Sequence, residues 1–425
     1  MKKIKFASFL LASGLLFNSC QNEEYDQNVV DSIVQPAELS GEKIQGSYII
    51  VLKQDKFNYP INDVANVTYS TREEKSDAYK RMSAETITSI TNNLATVKFD
   101  QSKITNFYTT QFLGFSVKDL TNEELVAISK SDKIKEIHYD QLIPSPMSTA
   151  EVESAEESSS AMMMVAQNVP CGISNAGGFT DGSTKGTWIW IIDTGVDSDH
   201  PDLNVITDTR YAKSYVGGTY EDCNGHGTHV AGTAAAKDNG IGVVGVSAGA
   251  PVVPLRVFGC SGGASSSNIL AAINQVGAND ISGDVVNMSL GGFYGNNCST
   301  NSPYVAALTG LSNAGTRVAL AAGNSAADAT RYSPACVNAT NIFTVASMTC
   351  SKSFSSFSNY NRAAVDVIAT GSSVQSTWLN GGYRTISGTS MASPHVAGIL
   401  HARNAAPATS GSVSFNGQSY PIAVR

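Results

Sequence analysis

TWIWIIDTGVD, residues 187–197, decides the fold. Trp188 to Ile192 is almost wholly apolar, and Asp193 ends the run in D-T-G-V-D. A continuous apolar run closed by turn residues reads as a strand buried on both faces, as parallel sheets require. Working outward, VVPLRVF, DVVNMSL, RVALAAGN and IFTVAS recur between helical patterns. That alternation predicts an α/β domain over 166–425, with a mostly parallel sheet and crossover helices. A carboxylate at the C-terminal edge of such a strand sits where these sheets build their sites.

Two further turns carry chemistry. In DCNGHGTHVAGT, residues 222–233, His226 lies between two glycines at the mouth of a small-residue helix. Cys223, His226 and His229 also have a spacing that zinc could use, although no fourth ligand is evident. In SGTSMASPHVAG, residues 387–398, Ser390 starts a helix. Pro394 is expected in its first turn, where a missing N–H costs little. A helix N-terminus offers unpaired N–H donors and partial positive charge to a nearby oxyanion. A serine hydroxyl needs a base, and the base needs an orienting acid. His226 and Asp193 supply those types, and Asn324, ending RVALAAGN, supplies a side-chain amide.

The first half of the chain is organised differently. Three lysines precede an apolar stretch from Phe6 to Phe17, too short to span a bilayer, which reads as a signal-peptide core. It ends in Phe17-Asn18-Ser19-Cys20, similar to a bacterial lipoprotein box, with Cys20 as the lipidated residue. Residues 1–20 are thus a lipoprotein signal and 21–45 a polar linker. Residues 46–146 read as strand, helix, strand, helix, strand, which predicts a small ferredoxin-like α+β domain. Within it, Thr121 to Glu124 has the form of a capping box. Residues 147–165 form an acidic, exposed linker suited to cleavage. The net charge of −8 argues against a nucleic-acid partner. Beyond Cys20, six cysteines in an exported chain point to disulfides, with fifteen possible pairings.

DTGVDSDHPDL, NGHGTHVAGT and GTSMASPHVAG resemble the Asp, His and Ser motifs of the subtilisin family of serine peptidases, in that family's chain order. AAGN resembles its oxyanion strand. The order disfavours an α/β-hydrolase, which runs Ser, acid, His. The resemblance implies a subtilisin-like three-layer α/β fold and a serine endopeptidase. Asp193 would be the orienter, His226 the base and then acid, Ser390 the nucleophile and Asn324 the oxyanion donor. The small domain, from YIIVLK to IKEIHYD, resembles the family's inhibitory propeptide of the I9 type. The chain would then be an autoprocessed zymogen cut near Val165, with its own propeptide as intramolecular inhibitor. A binding protein on the same fold and a zinc hydrolase are the rivals.

The resemblance also implies structural calcium, held by Gln167, Asp202, the Asn239 side chain and the carbonyls of Lys237, Ile241 and Val243; Asp366 resembles a weaker second-site ligand. Cys223 and Cys260 match a pair seen in some relatives; Cys336–Cys350 is added by proximity, leaving Cys171–Cys298. Protein or peptide substrates would pair as an added strand, between Ser289-Leu290-Gly291 and the Ser261-Gly262-Gly263 turn. Ala321, Ala322 and Gly323 would wall the pocket before the cut bond, with an apolar or broad preference. The expected state is a monomer. The expected place is the outer envelope or cell surface, with the catalytic domain released after the cut.

Overall fold

The computed structural model describes residues 27–34, 42–146, 166–296 and 298–425. The expected signal segment 1–20 with Cys20, and the expected linker 147–165 with its expected cut, lie outside the described residues. No described helix is long and apolar enough to cross a membrane.

In the N-terminal domain α1 (Gln27–Ile33) precedes β1 (Lys43–Leu52), α2 (Arg72–Leu94), β2 (Ile104–Tyr108), β3 (Gly114–Val117), α3 (Asn122–Ser129) and β4 (Ile134–Ile143). The strands form an antiparallel sheet in the order β4-β1-β3-β2. The expected capping box opens α3: Glu124 N–H donates to Thr121 Oγ1 at 3.2 Å, and Thr121 N–H to Glu124 Oε2 at 2.9 Å. Two expectations need correction. Part of the presumed linker 21–45 is α1, and its Val30 and the following Val34 are fully buried in one cluster with Tyr48 and Leu125. Val30, Ile33 and Val34 have helical spacing, but the segment is too short for a sequence period to stand out. Strand β2 was also unread, because Thr105 and Asn106 interrupt its apolar residues.

The C-terminal domain contributes β5 (Ile189–Asp193), β6 (Lys213–Ser214), α4 (His226–Ala235), β7 (Val252–Arg256), β8 (Ala264–Ser265), α5 (Ser266–Asn279), β9 (Val285–Met288), α6 (Tyr304–Asn313), β10 (Arg317–Ala321), β11 (Ile342–Met348), β12 (Val367–Thr370), α7 (Thr389–Arg403), β13 (Ala408–Phe415) and β14 (Gln418–Val424). The nine-stranded sheet runs β13-β14-β12-β11-β10-β9-β5-β7-β6. Its pairs are parallel except for the β13–β14 hairpin at the edge. That hairpin turns on Asn416-Gly417, both at positive φ, the conformation that two-residue hairpin loops demand.

Along β5 the side chains alternate between faces. Ile189 and Ile191 join a core that includes Val230 and Ala234 of α4 and Val396 of α7. Trp190 and Ile192 join a second core with Ile273 of α5 and Leu308 of α6. The sheet is therefore covered on both sides, giving three layers. The N-terminal domain adds Ile49, Tyr108 and Phe112 to the second core. Its β4 also pairs with β8, setting Ile143 opposite Ala264 and Leu142 opposite Ser265.

Cysteine pairing differs in part from expectation. Cys223–Cys260 is present, but the other bonds are Cys171–Cys350 and Cys298–Cys336. Cys336 and Cys350 flank β11, seven residues long. A strand of that length holds its ends about 20 Å apart, whereas a disulfide needs Cα atoms within about 7 Å.

Candidate active site

Asp193 ends β5 and His226 opens α4. Both are fully buried, and His226 Nδ1 lies 2.7 Å from Asp193 Oδ1. The same carboxylate oxygen accepts the Thr194 N–H at 2.7 Å. The glycines beside the histidine are needed for space. Gly225 has φ 101°, and a Cβ there would lie 2.3 Å from the Trp378 ring. At Gly227 it would lie 2.1 Å from Gly195 O. Asp222 secures the turn, accepting from the N–H groups of Asn224, Gly225 and Thr228 and from the hydroxyls of Thr194 and Thr228. It joins the Asp and His turns, and no sequence argument had singled it out.

Ser390 is the second residue of α7, so its N–H has no acceptor within the helix. Its hydroxyl donates to Ser289 O at 3.3 Å, and Ser289 Oγ donates to Ser390 O at 2.7 Å. Pro394 explains the second bond. It lies in the second helical turn, not the first, so its missing N–H frees the carbonyl four residues back. That carbonyl belongs to Ser390, and Ser289 takes it. Ser289 lies just past β9 and Asp193 ends the adjacent β5, with Asn287 opposite Ile191. Serine and acid therefore approach from neighbouring strand ends. The serine does not donate to His226; His226 Nε2 has no partner among the described residues.

Asn324 follows β10. Its Oδ1 accepts the Thr389 N–H and hydroxyl, both at 2.8 Å, which leaves its NH₂ end as donor. Thr389 Oγ1 also accepts the Gly323 N–H at 3.0 Å. Thr389 thus orients the amide, a role the sequence did not disclose.

A cleft of ≈ 240 Å³ is lined by Ser289, Leu290, Gly291, Ala321, Gly323, Asn324 and Ser390, and also by Pro144 and Pro146 of the N-terminal domain. Gly292, Phe293, Ser325, Tyr332 and Thr389 complete its walls and carry no signal in the sequence. Ala322 does not line it: strand alternation turns that side chain into the core with Ala346 and Met348. Of the turn expected as the opposite edge, Ser261 and Gly262 are exposed and Gly263 is half-buried. At Gly263 a Cβ would lie 2.5 Å from Ile143 O.

The zinc grouping is overturned. Cys223 is consumed by its disulfide. His229 Nε2 faces the carbonyls of Val374 and Arg384, and burial lowers its pKa to about 3. The residues expected around calcium do gather. Val243 N–H donates to Asp202 Oδ2 at 3.1 Å, and Lys237 N–H to Asp202 O at 2.9 Å. Gln167 Oε1 accepts from the N–H groups of Asn239 and Gly240, while Asn239 Oδ1 accepts from Ile241 N–H. Asp202 is fully buried, its Oδ1 has no hydrogen-bond partner among the described residues, and burial raises its carboxyl to about 6. A buried carboxylate oxygen beside a carbonyl-rich loop suits a hard cation. Asp366 accepts the Thr344 N–H at 2.8 Å.

Residues 184–412 match the subtilase family, and residues 47–144 match peptidase inhibitor I9. "Extracellular serine proteinase" of Thermus sp. (strain Rt41A) is 30% identical over 397 residues, 92% of this chain and 87% of that protein. "Alkaline serine exoprotease A" of Vibrio alginolyticus is 38% identical over 287 residues, 67% of this chain; the match spans 50% of the Vibrio protein. Among solved structures, a cold adapted subtilisin-like serine proteinase is 39% identical over 52% of this chain and 76% of that one, with a TM-score of 0.44.

Proposed function

The chain belongs to the subtilase family of serine endopeptidases, and from that premise we propose that it is an exported zymogen acting through Asp193, His226, Ser390 and Asn324. Residues 46–146 are its propeptide and 166–425 its catalytic domain. The buried Asp193–His226 bond at the end of β5, with Ser390 held by Ser289 at the end of the neighbouring β9, carries this reading.

In the reaction, Ser390 Oγ bonds to the substrate carbonyl carbon while its proton passes to His226 Nε2. Asp193 holds the ring through Nδ1 and stabilises the imidazolium. Negative charge on the carbonyl oxygen is met by the Asn324 NH₂ and the Ser390 N–H. The amine leaves with the proton from His226. Water, deprotonated by His226, then frees the acyl group and restores the serine. The Ser390–His226 hydrogen bond forms with substrate in place, since such bonds are often loose in the free enzyme.

The N-terminal domain acts as inhibitor. Its β4 pairs with β8 as a substrate strand would, and Pro144 and Pro146 enter the cleft. Apolar cleft walls support an apolar or broad preference before the cut bond. Gly263→Val should raise KM roughly tenfold and loosen the propeptide equally, because a side chain there displaces about two strand-pairing bonds; steady-state kinetics on a long peptide reads this.

Calcium would be held by Asp202, Gln167, Asn239 and the carbonyls of Lys237, Ile241 and Val243. It would meet the buried Oδ1 of Asp202, which has no hydrogen-bond partner among the described residues, and brace the 237–243 loop. Three disulfides among the described residues support export to an oxidising compartment. Cys20 is proposed as a lipid anchor on the propeptide side of the cut.

The deciding experiment is labelling with a fluorophosphonate. Adduct mass should fall on the peptide containing Ser390 and vanish in His226→Ala; labelling elsewhere, or none in active enzyme, refutes the assignment. Asn324→Ala should lower kcat by about 10²–10³ with little change in KM, a magnitude taken from subtilisin itself.

A further inference from the structure

The two domains meet at a second anchor, away from the cleft. Arg72 opens α2, and Asp284 stands just before β9. Ser289 stands past the other end of that strand, about 16 Å on. Arg72 Nη1 donates to Asp284 Oδ2 at 2.6 Å and Nη2 to Oδ1 at 3.0 Å. Nη1 also donates to Asn279 O at 2.8 Å, and the guanidinium lies 3.6 Å from the centre of the Trp188 ring. The Arg72 side chain is 6% exposed and that of Asp284 is 0%.

The receptor is built by the catalytic domain alone. Asp284 Oδ1 accepts the Trp188 N–H at 2.9 Å, and Oδ2 accepts the Trp190 Nε1–H at 2.8 Å. Those neutral donors fix the carboxylate before any cation arrives. Planar fork, carbonyl and aromatic face together match a guanidinium and not an ammonium. One turn along α2, Lys75 bonds the Asp280 carboxylate and, at 2.8 Å, the Asp280 carbonyl.

We propose that Trp188, Asp284 and the Asn279 carbonyl form a guanidinium-binding site on the catalytic domain, and that its grip on Arg72 sets how long the cleaved propeptide stays bound. The inference rests on the zymogen reading. Strand pairing at β8 is what any extended substrate can offer, so it cannot distinguish propeptide from peptide. The arginine site can. Removing Arg72 leaves Asp284 buried and unpaired in the complex but hydrated once the propeptide departs, so the loss falls on the bound state.

The test uses the full chain, expressed and left to process itself. In Arg72→Ala, cut propeptide should co-elute with the catalytic domain about a hundredfold less tightly, and the delay before full activity should collapse. Arg72→Lys should resemble Arg72→Ala. The released enzyme should keep its kcat and KM, since Arg72 leaves with the propeptide. Ethylguanidinium at tens of millimolar should restore retention in Arg72→Ala, and ethylammonium at equal ionic strength should not. Wild-type retention in Arg72→Ala, or equal rescue by both cations, overturns the site. A wild-type chain that never cuts itself refutes the zymogen reading instead. The site is then read from melting of the uncut Arg72→Ala chain, which ethylguanidinium alone should raise; equal melting with both cations overturns it.

Discussion

Ser390→Ala is expected to arrive as an uncut chain, its propeptide still attached, with peptidase activity down by roughly 10⁶. That magnitude is known for subtilisin and is borrowed here. The substitution removes one oxygen from a buried helix N-terminus. The bond from Ser289 Oγ to the residue 390 carbonyl uses backbone and survives, so folding should be little disturbed. What disappears is the atom that forms the acyl bond. His226 and Asn324 remain but have nothing to activate, so activity should fall to the background that binding and the oxyanion donors give over water. If Cys20 carries the proposed lipid, the uncut chain should also stay with the membrane, whereas wild type should release its catalytic domain. Intact mass and membrane fractionation read both effects. A processed Ser390→Ala chain would show that another protease makes the cut; retained activity would remove Ser390 from the mechanism.

Elements whose side chains carry their own periodicity were legible in the sequence. The five apolar runs read as strands became β5, β7, β9, β10 and β11, because a strand buried on both faces is apolar throughout. Asp193 and His226 were legible because each sits beside glycines in a tight turn, glycines that close packing there requires. What stayed hidden depends on partners distant in sequence. Thr389 matters only because Asn324 lies beside it, and Asp222 only because it caps one turn and reaches the other. Cys336 and Cys350 are near in sequence, but the strand read from IFTVAS lies between them and holds its ends apart. Pro394 was read as a helix-start signal, but its position concerns the Ser390 carbonyl. Arg72, one cation among many in a polar helix, gave no sign of its buried partner.

Calcium removal should produce the other large effect, a fall in melting temperature of about 10 °C for the processed enzyme. Ion at a thousandfold its Kd contributes about 4 kcal/mol, and a domain of this size shifts about 2–4 °C per kcal/mol. The physical source is Asp202, fully buried with one oxygen unpaired among the described residues. A carboxylate held that way is costly without a counter-charge. Asp202→Asn separates this account from simple loop damage. It deletes the buried charge along with the ligand, so in chelator the variant should melt no lower than wild type. With calcium it should fail to gain the 10 °C. If the loop merely needed its hydrogen bonds, Asp202→Asn would be destabilised equally with and without calcium. Calorimetry across a calcium titration distinguishes the two, and restoration of the chelated enzyme by zinc in place of calcium would contradict the oxygen-rich ligand set.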